Sequence, residues 1–189
     1  SEAFSANPFC STRRKLIAGA IAASAAPFAY AAEPNTARPQ PGDILVFADG
    51  EQRGRTVAPG SIGLTDSPKF AYPKDPATGI VRDASRLNLL LLVRVPPEQI
   101  EAETQSFAAD GILAYSAICT HYGCQITLRE ANSKGVVCNC HGSTFDVTNK
   151  GAIVVGPATR RLAALPLKLV GETLVVAAGF SGRLGPPTE

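Results

Sequence analysis

Both histidines of this 189-residue chain, His121 and His141, stand inside cysteine motifs. The first motif reads Cys119-Thr120-His121-Tyr122-Gly123-Cys124, and the second reads Cys138-Asn139-Cys140-His141-Gly142-Ser143. A chain that places its whole histidine complement beside cysteines commits it to a metal centre. The fold must therefore bring the two motifs together. Their six cysteines and histidines divide into four ligands and one crosslink.

Structural zinc sites usually present cysteine pairs two to four residues apart, with a separate histidine pair or further cysteines. Here cysteine and histidine are mixed within each half. Each half can supply one thiolate and one imidazole, which suits an asymmetric two-iron cluster with two Cys on one iron and two His on the other. Replacing two anionic thiolates by neutral imidazoles makes the site less negative, so an electron is accepted more readily.

At these motifs the chain resembles the Rieske iron–sulfur family, whose pattern is C-x-H-x-G-C followed by C-x-C-H-G-S. The resemblance implies one [2Fe-2S] cluster held by Cys119, His121, Cys138 and His141, with Cys124 and Cys140 joined in a disulfide between the two loops. A structural zinc site is the plain alternative. The cysteine count accords with the division. Of five cysteines, Cys10 lies ahead of an arginine pair and would leave with a cleaved leader.

That arginine pair opens Arg13-Arg14-Lys15-Leu16-Ile17, a twin-arginine export pattern. An Ala-rich apolar stretch follows, then Ala29-Tyr30-Ala31, which matches an A-x-A cleavage site. Residues 1–31 are expected to be a twin-arginine signal peptide, cleaved to leave a periplasmic protein. The twin-arginine route carries folded cargo, as a cofactor assembled in the cytoplasm requires, and a disulfide fits an oxidising compartment. The apolar stretch is short, Ala-rich and interrupted by Gly19 and Pro27, whereas spanning needs about 20 strongly apolar residues. Membrane association is expected only if the leader is retained.

Arg13, Arg14 and Lys15 against Glu2 account for the formal charge of +2, so the rest of the chain is neutral. No basic stripe suggests nucleic acid. Residues 32–42 contain three prolines and read as a linker or extended arm. Beyond them, short apolar runs punctuated by Gly and Pro predict strands at 43–47, 89–95, 112–118, 125–128, 136–138, 153–155, 162–170 and 173–177. Residues 97–106 can hold a turn or two of helix. The almost continuously apolar 89–95 predicts a strand covered on both faces. The fold class is all-β. The resemblance implies a Rieske-type antiparallel sheet domain over 43–180, with a small cluster-binding subdomain inserted at about 117–157, and 181–189 reads as a tail.

Hydrogen bonds to the ligands tune such a centre. Gly123 and Gly142 permit tight turns that bring backbone N–H groups near sulfur. Ser143 matches the family serine that donates to a bridging sulfide. Phe145 stands where high-potential members often carry a tyrosine, so a lower potential is expected here. Asn139 replaces a common proline. Gly156-Pro157 resembles the proline-containing loop that covers the cluster.

With both histidines committed, no nucleophile–His pair is available. The chain reads as an electron carrier with no catalytic site of its own. Residues 71–79, 87–95, 156–162 and 180–183 extend the resemblance towards the small subunit of arsenite oxidase. This implies a heterodimer with a molybdopterin-containing large subunit, passing electrons to a periplasmic cytochrome c or an azurin-like copper protein. The alternative is the Rieske subunit of a quinol-oxidising cytochrome bc complex, which requires an anchor and a hinge. The cytoplasmic aromatic-dioxygenase class lacks the extra cysteine pair.

Overall fold

The computed structural model describes residues 33–130 and 134–187. Eleven strands follow one another: β1 (Ile44–Phe47), β2 (Lys69–Lys74), β3 (Leu90–Arg94), β4 (Ile112–Ser116), β5 (Leu128–Arg129), β6 (Gly135–Cys138), β7 (Ser143–Asp146), β8 (Ala152–Val155), β9 (Ala164–Leu165), β10 (Leu167–Val170) and β11 (Thr173–Val176). They make two antiparallel sheets. The fold is all-β; the described residues add one four-residue α-helix, α1 (Ala102–Gln105), and short 3-10 turns.

The larger sheet has the order β10-β11-β1-β2-β3-β4-β9. Its two edge strands, β9 and β10, are separated in the chain by Pro166 alone. Consecutive Cα atoms lie about 3.8 Å apart, so these edges must meet and the sheet closes into a barrel-like form. Pro166 explains the break in the predicted strand 162–170. It has no N–H for a ladder, yet its carbonyl accepts from Ala177 N–H at 2.9 Å.

β3 runs through the middle of this sheet and is covered on both faces. Leu91 and Val93 face one core with Tyr115, Phe145, Cys119 and Cys138. Leu90 and Leu92 face the other core with Leu45, Val57, Ile62 and Leu174. Burial of each such side chain contributes about 2 kcal/mol. β2 has no counterpart among the strands expected from sequence, because Pro73 interrupts its apolar pattern. The proline is tolerated because β2 pairs with β3 only over Lys69, Phe70 and Ala71.

The smaller sheet, β5-β6-β7-β8, is inserted between β4 and β9. β6 and β7 form a hairpin with Cys138 opposite Ser143, so residues 139–142 make a four-residue loop. The expected strand 125–128 is reduced to an isolated bridge between Ile118 and Gln125, followed by β5.

Both chain ends of the described portion lie on the domain. Residues 33–42, read as a linker, are fastened to it: Asn88 Nδ2 donates to Ala37 O at 2.8 Å, and Arg82 Nη1 donates to Pro34 O at 3.2 Å. Arg82 also grips the buried Asp43 carboxylate through two bonds, at 2.7 and 3.0 Å. The segment from Ser181, read as a tail, bonds in both directions with Ala164 and continues along the domain to Gly185. Residues 1–31, the expected leader, lie outside the described residues.

Candidate metal centre

The two histidine-bearing loops enter from different elements. The first follows β4 and the second is the β6–β7 hairpin loop. They are built alike. In each, the first cysteine's carbonyl accepts from the glycine four residues on: Gly123 N–H to Cys119 O at 3.0 Å, and Gly142 N–H to Cys138 O at 2.9 Å. These glycines have φ of 75° and 74°, a left-handed conformation that a side chain disfavours.

A disulfide joins Cys124 to Cys140 across the loops. Cys119 and Cys138 are left as buried thiols. The Cys138 sulfur lies within 4.8 Å of both disulfide sulfurs, but bonded sulfurs are not available as thiolates, so that trio is no three-ligand metal site. Burial pushes the Cys119 thiol up, and the Cys138 thiol beside it adds to this; the His121 N–H and the Ser143 hydroxyl act the other way. The His121 N–H lies 3.5 Å from the Cys119 sulfur.

The imidazoles of His121 and His141 lie together, ring centroids 4.8 Å apart and planes at 90°. His141 is exposed. His121 is half-buried, and its Nδ1 is buried with no hydrogen-bond partner among the described residues. A buried ring nitrogen without a partner costs about 1–3 kcal/mol unless something binds it. A metal ion would supply that partner. The donor set therefore fits a two-iron centre: two buried thiols form one pair and two adjoining imidazoles the other. A single ion would require three or four donors converging on one point.

The remaining residues singled out in the sequence fall around this set. Ser143 is fully buried, and its Oγ accepts from Ala158 N–H at 3.1 Å. Phe145 is fully buried in the core that contains Cys119 and Cys138. Pro157 is exposed. Its neighbour Gly156 lies against the hairpin loop, where an added Cβ would stand 2.5 Å from Ser143 Cα and 2.8 Å from Gly142 O. One contact was missed in the sequence. Tyr122 is 72% exposed, with its ring centroid 4.4 Å from His121 and 5.8 Å from His141. A bulky aromatic between a candidate ligand and a turn glycine was the available signal.

Two cysteine–histidine loops joined by a disulfide present the donor set of an iron–sulfur centre. Residues 90–166 match the Rieske [2Fe-2S] domain, and the centre they imply is a [2Fe-2S] cluster. Over 105 residues the chain is 42% identical to a cytochrome bc1 complex Rieske iron–sulfur subunit of Corynebacterium glutamicum, covering 52% of this chain and 26% of that one. Over 99 residues it is 36% identical to the subunit of that name in Streptomyces lividans, covering 51% and 58%. A chain of Haloferax mediterranei, named by inference as a respiratory nitrate reductase Rieske subunit, is 32% identical over 124 residues, covering 65% and 54%. The chain thus spans less than two thirds of each of these relatives. Among solved structures, the plasma membrane Rieske protein PetC3 of Synechocystis is 26% identical with a TM-score of 0.38, covering 58% of this chain and 86% of that one.

Proposed function

We propose that this chain is the Rieske electron-carrying subunit of a quinol-oxidising cytochrome bc complex. Cys119 and Cys138 would hold one iron, and His121 and His141 the other. The similarity to bc1 Rieske subunits in Corynebacterium and Streptomyces is the observation that favours this assembly. When bound, the cluster takes up and releases one electron.

The chain's own residues divide the work. The buried thiols and Phe145 exclude water from one end of the centre, which strengthens the hydrogen bonds made there. The disulfide and the two glycine turns fix the loops, so little structure has to rearrange as charge changes. His141 and Tyr122, both exposed, form the edge at which a partner can approach, and His141 is the imidazole a quinol hydroxyl can reach. An extracytoplasmic location after export of residues 1–31 fits the Cys124–Cys140 disulfide.

A second reading, the small subunit of a molybdopterin oxidoreductase of the arsenite oxidase type, is favoured by the resemblance over residues 71–79, 87–95, 156–162 and 180–183. In that assembly electrons would leave to a periplasmic cytochrome c or an azurin-like protein. The similarities to named relatives support the bc assembly better.

The test is spectroscopic and then biochemical. Reduced protein is expected to give an EPR signal with average g below 2, and its absence would sink the cluster assignment. Co-purification of cytochrome b and c subunits is expected for the first reading. A molybdenum-containing large subunit in their place would establish the second.

A further inference from the structure

The loop carrying His121 is fastened by residues outside the small sheet, and the loop carrying His141 is tied to it through the Cys124–Cys140 disulfide. Arg86, in the 3-10 turn Arg86–Asn88 ahead of β3, donates from Nη2 to Gly123 O at 2.6 Å. Thr120 Oγ1 donates to Arg160 O at 2.5 Å. The Arg160 guanidinium donates in turn to Gly185 O at 2.9 Å and Arg183 O at 3.4 Å, drawing the C-terminal segment over the same loop. A Cβ on Gly123 would stand 3.3 Å from the Pro186 ring, whereas one on Gly142 would meet nothing within 4 Å. Residues 139–142 are all exposed.

Among these fastenings only Arg86 brings a charged donor directly to the loop. A hydrogen bond from a guanidinium is roughly twice as strong as a neutral one. The Gly123 peptide is thereby held at both ends, with its N–H on Cys119 O and its carbonyl on Arg86. Gly123 lies directly between Tyr122 and the disulfide-bonded Cys124, so this peptide orients both the aromatic edge and the crosslink. A fixed positive charge beside the loop also favours whichever oxidation state is more negative.

We propose that Arg86 is a positioning residue for the centre: through the Gly123 carbonyl it fixes the His121 loop, and its charge favours the reduced state. The proposal rests on the reading of the site as a one-electron centre. It differs from ligand chemistry, because Arg86 acts on a backbone carbonyl.

The experiment compares the cluster-loaded full chain with Arg86→Gln and Arg86→Lys by voltammetry at low and high salt. Arg86→Gln is expected to lower the midpoint potential, with the gap narrowing at high salt because exposed charges are screened. Arg86→Lys, which keeps the charge, is expected to recover most of the wild-type potential. In Arg86→Gln the Cys124–Cys140 disulfide is expected to be reduced several-fold faster by a small thiol. An unchanged potential in Arg86→Gln, or an equal fall in both variants, overturns the proposal. If Arg86→Gln takes up no cluster, Arg86→Lys decides, and a lowered potential there overturns it. A wild-type protein without the reduced EPR signal would overturn the underlying reading, a result distinct from any of these.

Discussion

The Ser143 hydroxyl accepts the backbone N–H of Ala158 at 3.1 Å, which leaves its own proton for a sulfur. Beside the Cys119 thiol, this hydroxyl acts against the burial that pushes that thiol up. Ser143 therefore couples two loops, one carrying a candidate ligand and the other covering it. The geometry depends on Gly156, which lies against the Ser143 backbone.

Gly156→Ala would break this arrangement. Gly156 has φ of 101°, and an added Cβ would meet Ser143 Cα at 2.5 Å, a backbone atom that cannot swing aside. We expect destabilisation of about 2 kcal/mol or more, together with faster cluster loss. Urea unfolding and the decay of visible absorbance measure the two effects. A variant as stable as wild type would contradict the close approach.

Phe145→Tyr adds one hydroxyl to a fully buried ring in the core containing Cys119 and Cys138. Tyr115, another buried aromatic of that core, cannot stand in for it, because its hydroxyl donates to Val147 O at 2.6 Å. A new bond to a ligand sulfur that favours the reduced state by about 1 kcal/mol raises a one-electron potential by roughly 40 mV. Voltammetry checks this, and an unchanged or lower potential would remove the role given to Phe145.

Cys124→Ser with Cys140→Ser removes the crosslink while sparing both buried thiols. The bridge spans a sequence separation of 16, and closing such a loop restricts the unfolded chain by about 3 kcal/mol. We expect a matching loss of stability, with a Rieske-type EPR signal retained after mild reassembly. Failure of the double variant to take up iron at all would mean that ligand and crosslink have been exchanged.

Alkaline pH should expose the burial of Tyr115. Burial, and then the Asp146 charge, push its phenol far above the ordinary tyrosine value. Above about pH 10 the unfolded chain loses this proton and the folded protein keeps it. Stability then falls by about 1.4 kcal/mol per pH unit until the folded phenol ionises. Tyr115→Phe is expected to cost about 1 kcal/mol at neutral pH and to flatten the alkaline limb. Equal slopes for the two proteins in unfolding titrations would show that another group governs that limb.

Much of this protein was legible in its residues because the signals are local. Leu90–Arg94 is nearly all apolar and became the strand covered on both faces. The turn glycines Gly123 and Gly142 were readable from position alone. β2 and β7 were missed for opposite reasons. Pro73 disguises the first, and its position becomes acceptable only once β3 is seen to end short of it. The second, Ser-Thr-Phe-Asp, is too short to show a period and follows directly on the hairpin loop.

Two cysteine–histidine motifs restrict the possible centres whatever surrounds them, so the chemistry can be read from local residues alone. How the motifs meet is a matter of long-range packing. The fold brought the imidazoles to 4.8 Å, left His121 Nδ1 without a partner and set Tyr122 beside both rings. It also showed that Arg86 and the C-terminal segment hold one loop, and that Gly156 and Ala158 lie against Ser143 at the end of the other. Arg86 and Gly123, for example, are 37 positions apart in the chain. Such pairings depend on barrel closure and strand register, which no local pattern encodes.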